Sequence, residues 1–338
     1  MAHDLLIQNG QAKMMYYGDP PWHGLGTELE RPATAAEAIA AAGLDWEVLK
    51  VPLAYAPEPN QIEWFPDRFA IVPGAGWKEE QRPALGIVGS AYELLQNREA
   101  FSFFDPIVGQ DVAVYHTAGV LDGGKRIWIL AKLPDDIRVI GDDITRKFLL
   151  LSSSHDGESA VQVKFTPIRV VCQNTLSFAL HMGETLHVKH TRDIHQRLSE
   201  AHRLLDIVWV GYEHVTDAFK AMTQVSLNSS QLAAYTYKVF PDPVDPENEA
   251  ARVRATRDRT QAEFFFENGK GNDMPKVKGT LWAAYNGIVQ YIDYRGIHKT
   301  PFTRLNSVWF GTGQRIKSRA FRKAKALCSP HARSEQAV

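Results

Sequence analysis

The residues best suited to covalent chemistry lie in one stretch, residues 148–180. His155 and Asp156 occupy a polar turn there, and Arg169 and Cys172 follow the next predicted strand. A thiolate nucleophile needs a nearby base or cation, which His155 or Arg169 would supply. These four residues define an enzyme hypothesis. A lone cysteine after two valines is more often a small buried residue, and His-Asp-Gly is an ordinary turn, so we favour a structural role for both.

Histidines recur further along the chain, but they show no metal-binding pattern. They are His181, His187, His190, His195 and His202. None forms H-E-x-x-H, no matched carboxylate set follows, and two cysteines are too few for a thiolate cage. The phosphate-binding loop, the dinucleotide fingerprint and the G-x-S-x-G elbow are also absent. We therefore expect no metal and no cofactor, and the common nucleotide-driven enzyme classes are excluded.

The strongest chemical signal is electrostatic and lies near the end of the chain. Residues 1–251 contain 21 Lys/Arg and 33 Asp/Glu, a net charge of −12, whereas residues 252–338 contain 17 and 6, a net charge of +11. Such cations neutralise phosphates with little sequence discrimination. The candidate nucleic-acid contacts are Arg169, Arg252, Arg254, Lys276, Lys278, Arg315, Lys317, Arg319, Arg322 and Lys323. Two alternatives stay open: a solvated basic surface, and contact between the acidic and basic parts of neighbouring copies.

The elements that would position these residues begin with strands. Residues 112–121 and 125–133 form the best hairpin, joined by Asp122-Gly123-Gly124, and residues 148–151 continue the strand-rich pattern. A capping box at Thr34 and Glu37 predicts a short helix that ends at Gly43. We expect a further helix to begin near Asn174. The repeated hairpins indicate a mainly antiparallel sheet.

Helices dominate the second half. Apolar residues spaced alternately by four and three from Ile194 to Phe219 predict one long helix over about 190–222, which we expect to cover the sheet. An acidic, proline-rich linker is predicted at 241–250 and a basic helical region at 251–330. The aromatics at 282, 285 and 291 have helical spacing, which favours core positions. The predicted fold is therefore α+β, with residues 1–240 as its core domain.

Several motifs together resemble a phage/plasmid-like family of unknown function, which is found on prophages and conjugative plasmids. They are Pro21 to Gly26, Gly89 to Tyr92 with Gln96-Asn97, Ser154 to Gly157, Phe165 to Leu176, Gly279 to Trp282 with Tyr285-Asn286, and Trp309 to Gly311. The likeness covers nearly the whole chain, and Glu158 departs from the small residue expected after His-Asp-Gly. The resemblance implies a setting among mobile genetic elements, where DNA is often single-stranded.

These features favour a non-catalytic protein that binds nucleic acid, with single-stranded DNA preferred, during recombination or replication. We expect it to be oligomeric. No secretory signal and no apolar segment of about 20 residues is visible, so the expected location is the cytoplasm of a bacterial host. The alternatives are an enzyme that uses His155, Asp156, Arg169 and Cys172, and a self-assembling structural or host-interaction protein.

Overall fold

The chain forms two compact units. A computed structural model describes residues 5–19, 21, 24–78, 81–108, 113–169, 171, 174–175, 185–194, 196, 205–295, 307–309 and 311–329. The first unit, here called the sheet unit, takes residues 1–134, 148–165 and 185–207. The second, here called the helical unit, takes residues 135–147, 166–184 and 208–338. The chain therefore passes repeatedly between the two.

A seven-stranded sheet is the framework of the sheet unit. Its strands are β3 (Met14–Tyr17), β4 (Thr27–Leu29), β8 (Val114–Leu121), β9 (Arg126–Lys132), β12 (Phe148–Ser154), β13 (Val161–Phe165) and β16 (Thr185–Val188). Their order is β16-β13-β12-β9-β8-β3-β4, and only the β3–β4 pair is parallel. The large buried side chains of this unit include Trp128, Tyr115 and Phe148, which come from its central strands. The predicted hairpin is confirmed as β8 and β9.

Smaller elements complete the sheet unit. They are β1 (Ile7–Gln8), β2 (Gln11–Ala12), β5 (Val48–Tyr55), β6 (Glu63–Pro73), β7 (Gly86–Gly89), α1 (Ala35–Ala42), α2 (Asn97–Ser102), α3 (Asp105–Val108) and a 3-10 turn at Asp122–Gly124. β1 pairs with β2, and β5, β6 and β7 form a second antiparallel sheet. Helix α1 packs against β3 and β8 of the large sheet.

The capping box of α1 confirms the sequence prediction. The Glu37 backbone N–H donates to the Thr34 hydroxyl, and the Thr34 backbone N–H donates to the Glu37 carboxylate. Gly43 ends the helix at a φ of 65°, a left-handed conformation that suits glycine.

Thr34→Ala should therefore lower the free energy of unfolding by about 1 kcal/mol, because it leaves an N–H of the first turn without its acceptor. Urea unfolding of the wild type and the variant measures this loss. Thr27→Ala, on the exposed strand β4, is the matched control. Equal unfolding midpoints for the Thr34 variant and the wild type would contradict a stabilising cap.

The helical unit combines a small sheet with five helices of the described chain. The sheet contains β10 (Ile137–Ile140), β11 (Asp143–Arg146), β14 (Ile168–Arg169) and β15 (Asn174–Thr175), in that antiparallel order. The helices are α4 (Leu205–Thr223), α5 (Ser229–Val239), α6 (Glu249–Asn268), α7 (Leu281–Gln290) and α8 (Thr312–Cys328), and a π-helical turn at Tyr291–Arg295 extends α7. Helix α7 is central, since it packs against both α6 and α8.

The α+β fold class, with antiparallel sheets and a helical C-terminal region, is confirmed. Of the long helix predicted over about 190–222, residues 205–223 form α4 and residues 194 and 196 are helical, whereas residues 190–193 form bends and turns. Residues 195 and 197–204 of this prediction lie outside the described chain. The predicted seam is buried at Tyr212, Val215 and Phe219. Within the helical unit the Phe219 ring lies 4.6 Å from the Trp282 ring and 6.0 Å from the Phe321 ring, measured between centroids. Phe219 of this seam therefore packs against α7 and α8.

Two local features differ from or refine the sequence analysis. A helix was expected to begin near Asn174. This prediction is wrong for Asn174 and Thr175, which form strand β15 and pair with Arg169 and Ile168. Residues 176–184 lie outside the described chain. The acidic segment at 241–248 connects α5 to α6 inside the helical unit. Along the described residues, no helix is both long and apolar enough to cross a membrane.

Candidate functional site

Arg169 lies at the centre of a buried polar cluster. Its Nε donates to both Asp143 carboxylate oxygens at 2.8 and 3.0 Å, and its Nη2 donates to Oδ2 at 2.6 Å. Nη1 donates to Asn272 Oδ1 at 3.1 Å, and Nη2 also reaches the Gly271 carbonyl at 2.8 Å. The Trp282 indole N–H donates to the same Asp143 carboxylate at 2.8 Å. Both charged side chains are fully buried. Through these hydrogen bonds the cluster joins four elements, which are β14, β11, α7 and the loop that follows α6.

Lys317 is also buried, although it sits in the most basic helix. Its Nζ donates to Asp293 Oδ1 at 2.8 Å, and the two side chains are 0% and 5% exposed. A buried ammonium held by a carboxylate cannot reach a phosphate from solvent. The same argument applies to Arg169, so we remove both residues from the candidate nucleic-acid contacts. Their charges belong to the interior of the helical unit.

The other five cations of α8 lie on the side of the helix away from its buried face and are here called the cation row. They are Arg315, Arg319, Arg322, Lys323 and Lys325. The helix contains six Lys/Arg and no Asp/Glu between Thr312 and Cys328. Arg315, Arg319 and Arg322 are spaced at i, i+4 and i+7, so they share one face. Arg315, Arg322 and Lys323 are exposed, and Ala320, Phe321 and Ala324 bury the opposite face. Lys325 is exposed too; it was not among the sequence candidates, although its helical position beside Arg322 would have indicated it.

Two arginines tie the basic helices to the C-terminal end of α5. Arg319 of α8 donates to the Val239 carbonyl at 2.9 Å. Arg259 of α6 donates to the Phe240 carbonyl at 2.9 Å and pairs with Asp242 at 2.8 Å. Guanidinium groups fit this position because the last carbonyls of a helix lack partners and carry partial negative charge. One N–H group of Arg319 therefore has a structural role, and the others remain free of this bond. Through Arg259 and Arg319, α6 and α8 both contact the C-terminal end of α5.

The remaining candidates are exposed on other parts of the helical unit. Arg252 and Arg254 lie in the first turns of α6, and Lys276 and Lys278 lie in the loop before α7. None of these four has an ion-pair partner among the described residues. They are therefore available to an anionic ligand.

His155 is fully buried in the sheet unit. Asn97 donates its amide hydrogens to the Leu44 and Trp46 carbonyls, so its Oδ1 is the acceptor for His155 Nε2–H at 2.9 Å. The Trp46 ring meets the imidazole edge to face at 5.6 Å. Burial is the main reason that the pKa of His155 falls to about 3. An imidazole held in this way links β12 to α2 and has the surroundings of a core residue.

Asp156 serves the turn after β12. Its Oδ1 accepts from the Ser154 hydroxyl and from the Glu158 backbone N–H. These bonds are those of an Asx turn, in which the side chain organises its own backbone. Cys172 lies outside the described residues, so an active site made of His155, Asp156, Arg169 and Cys172 stays a hypothesis. The described contacts of the first three are structural.

The described residues offer no other recognisable centre for a cofactor or metal. No three His, Cys, Asp or Glu side chains among them are placed to hold a metal ion. His181, His195 and His202 lie outside the described chain, as does the side chain of His187. The described part of the helical unit contains a cleft of about 510 Å³. It is lined by Asp135, Lys147, Tyr212, Glu213, Thr216 and Asp217, and its three carboxylates make it unsuitable for phosphate.

The comparisons with known proteins identify the chain only at the level of a family. No curated protein and no solved structure matches it. The family described as a domain of unknown function (DUF932) matches residues 84–325, a range that includes the Arg169 cluster, His155 and the cation row of α8. Because this range covers most of the sequence, the chain belongs to the DUF932 family.

Proposed function

We propose that the protein binds nucleic acid without catalysis, with single-stranded DNA preferred, through the exposed cations of the helical unit. The observation that carries this proposal is the cation row of α8, in which Arg315, Arg322 and Lys323 are exposed on a helix that contains no carboxylate. A row of cations with no ion-pair partner among the described residues attracts a polyanion. Arginine also binds phosphate in a bidentate manner and stacks on planar groups.

The proposed set of phosphate-binding residues is narrower than the one expected from the sequence. It retains the exposed cations of α8, to which Lys325 is added, together with Arg252, Arg254, Lys276 and Lys278. Arg169 and Lys317 are excluded by burial, and Arg319 contributes only its remaining N–H groups. Several independent phosphate contacts of this kind make affinity strongly dependent on salt and only weakly dependent on sequence.

A preference for single strands needs exposed aromatic faces as well as cations. Trp282, Tyr285 and Tyr291 are buried, so they cannot stack on bases, as the helical spacing indicated. Tyr237 of α5 and Phe264 of α6 are exposed by 49% and 53%. The guanidinium of Arg259 lies 5.2 Å from the Tyr237 ring centre, which combines an aromatic face with a cation. The exposed rings of Tyr237 and Phe264 therefore support the proposed preference for single strands.

The proposed setting follows from the resemblance to phage and plasmid proteins. We place the protein in the cytoplasm of a bacterial host, acting on DNA of a prophage or conjugative plasmid during recombination or replication. It would work as an oligomer on that DNA.

Charge reversal on α8 tests the proposal. Arg322→Glu combined with Lys323→Glu should weaken binding of labelled oligothymidine by about tenfold or more, because two cations that bind phosphate are replaced by anions that repel it. Fluorescence anisotropy over a series of salt concentrations measures both affinity and its salt dependence. The slope of log affinity against log salt should become shallower by about one for each phosphate-binding cation that is removed. Duplex DNA of the same length tests the strand preference.

The matched control is Arg68→Glu combined with Lys78→Glu, an equal charge change on exposed residues of the sheet unit. It should keep most of the affinity, which separates a local contact from a general effect of net charge. Absence of binding by the wild type at low salt would overturn the proposal. Equal reductions of affinity in the two double variants would overturn the assignment to α8.

A further inference from the structure

The β5–β6 hairpin extends beyond its sheet as a two-stranded ribbon. Strand β7 pairs with β6 only from Arg68 to Ile71. Further out, β5 and β6 pair with each other at Ala54 with Trp64 and at Tyr55 with Glu63, and no third strand of the described chain joins them there. We call residues 54–67 the ribbon tip. It precedes the residues that match the family, which begin at 84.

The ribbon tip exposes large apolar side chains on both of its faces. Ile62 is 69% exposed, Trp64 63%, and Tyr55 and Phe65 42% each. Trp64 and Phe65 are consecutive in a strand, so they point to opposite faces, and the Tyr55 and Phe65 rings lie 4.7 Å apart. An isolated two-stranded ribbon is only marginally stable in water. An apolar cluster of this kind usually marks an interaction surface.

The charge of the ribbon tip restricts the kinds of molecule that can bind to it. It contains Glu58, Glu63 and Asp67 and no Lys or Arg. The Tyr55 hydroxyl donates to the Glu63 carboxylate at 2.6 Å, which fixes one of these acids beside the aromatic rings. Three carboxylates repel phosphates, so neither nucleic acid nor an anionic membrane suits this surface. A cationic protein surface fits both the acids and the rings, because guanidinium groups pair with carboxylates and stack on aromatic faces.

We propose that the ribbon tip docks on the cation row of α8 in a second copy of this chain. The row presents Arg315 and Arg322 on one face with no competing carboxylate in the helix. Its charge is complementary to that of the tip, and the opposite net charges of residues 1–251 and 252–338 favour the same contact between copies. The contact joins two different surfaces, so each copy can accept one neighbour and bind another. Such heterologous contacts produce rings or open chains rather than simple dimers.

Reciprocal charge reversal tests this interface in the absence of nucleic acid. The ribbon variant is Glu58→Lys with Glu63→Lys, and the helix variant is Arg315→Glu with Arg322→Glu. Sedimentation velocity at micromolar concentrations should show a mass above the monomer for the wild type that falls as salt is raised. Each variant alone should be monomeric. An equimolar mixture of the two should associate, because the acidic tip of the helix variant meets the unchanged cation row of the ribbon variant and the lysine tip meets the glutamate row. One chain carrying all four changes should also regain the assembly, because its own charges are complementary again.

Two further variants keep the test specific. Trp64→Ser with Phe65→Ser should weaken association at least about tenfold by removing the apolar part of the interface. Asp142→Lys with Glu158→Lys changes the charge by the same amount on exposed residues elsewhere and should leave the assembly intact. Circular dichroism confirms that each variant is folded. A wild type that is monomeric at low salt, or a fourfold variant that fails to associate while folded, would overturn the interface. The ribbon tip and DNA would compete for Arg315 and Arg322, so DNA affinity is measured separately on the same variants, and its loss alone does not overturn the interface.

Discussion

Replacing Asp143 with asparagine should lower the free energy of unfolding by about 3–5 kcal/mol. The substitution keeps the volume of the side chain but removes its charge, so the Arg169 guanidinium is left buried without a counter-ion. Three of the hydrogen bonds of Arg169 go to this carboxylate, and so does that of the Trp282 indole. The loss of stability should be concentrated in β11, β14 and α7, which the cluster joins.

Urea unfolding measures the total effect, and hydrogen exchange of peptides from 135–147 and 281–290 locates it. Asp142→Asn is the matched control, because Asp142 is the neighbouring residue, is 97% exposed and pairs with Arg138 only at 3.7 Å. A surface pair of this kind contributes about 0–1 kcal/mol. Equal effects of the two substitutions would contradict a structural role for the cluster.

The double variant Arg169→Met with Asp143→Leu separates two contributions. Removing one partner leaves an uncompensated buried charge, whereas removing both replaces an ion pair with apolar groups. The double variant should therefore be more stable than Asp143→Asn, even though it forms fewer hydrogen bonds. A double variant less stable than the single variant would show that hydrogen bonding, rather than the unpaired charge, determines the decrease in stability.

Stability should fall as the pH is lowered from 7 to 5, and His155 should account for much of the decrease. Burial, and next the charge of nearby His190, lower the folded-state pKa of His155 to about 3, while Asp156 acts in the opposite direction. In the unfolded chain the pKa is about 6.5. Between these values the unfolded state binds more protons, so the free energy of unfolding falls as pH falls. The contribution of His155 reaches about 2 kcal/mol at pH 5.

The comparison of His155→Gln with the wild type isolates this contribution. The variant should show a shallower dependence of the unfolding free energy on pH between 7 and 5, since it cannot take up the proton. Unfolding in urea at several pH values gives the slope. His214→Gln, on the exposed face of α4, is the matched control for the loss of one histidine. A His155 variant with an unchanged slope would contradict the buried neutral imidazole.

Features that depend on neighbouring residues could be predicted from the sequence. The capping box at Thr34, the β8–β9 hairpin and the basic helix α8 are encoded by residues a few positions apart, where backbone hydrogen bonding and side-chain periodicity dominate. The same periodicity predicted a buried seam at Tyr212, Val215 and Phe219. The α+β class followed from these local patterns together.

The roles of individual cations required the tertiary structure. Arg169 and Lys317 look like any other basic residue in the sequence, and their partners Asp143 and Asp293 lie 26 and 24 positions away. Whether a charge meets a phosphate or a buried carboxylate depends on which distant segments pack around it. The strand at Asn174–Thr175 was missed for the same reason, because two residues are too few for a period and their pairing with β14 alone defines them.

The sequence by itself therefore determined the fold class, the main local elements and the excess of positive charge toward the C-terminus. Only the tertiary structure decided which of those charges face solvent, that His155 is a core residue, and that an acidic aromatic ribbon projects from the second sheet. The physical reason is the separation along the chain between the residues that interact. Hydrogen bonding within an element is local in the chain, whereas burial and ion pairing depend on residues that are brought together only by folding.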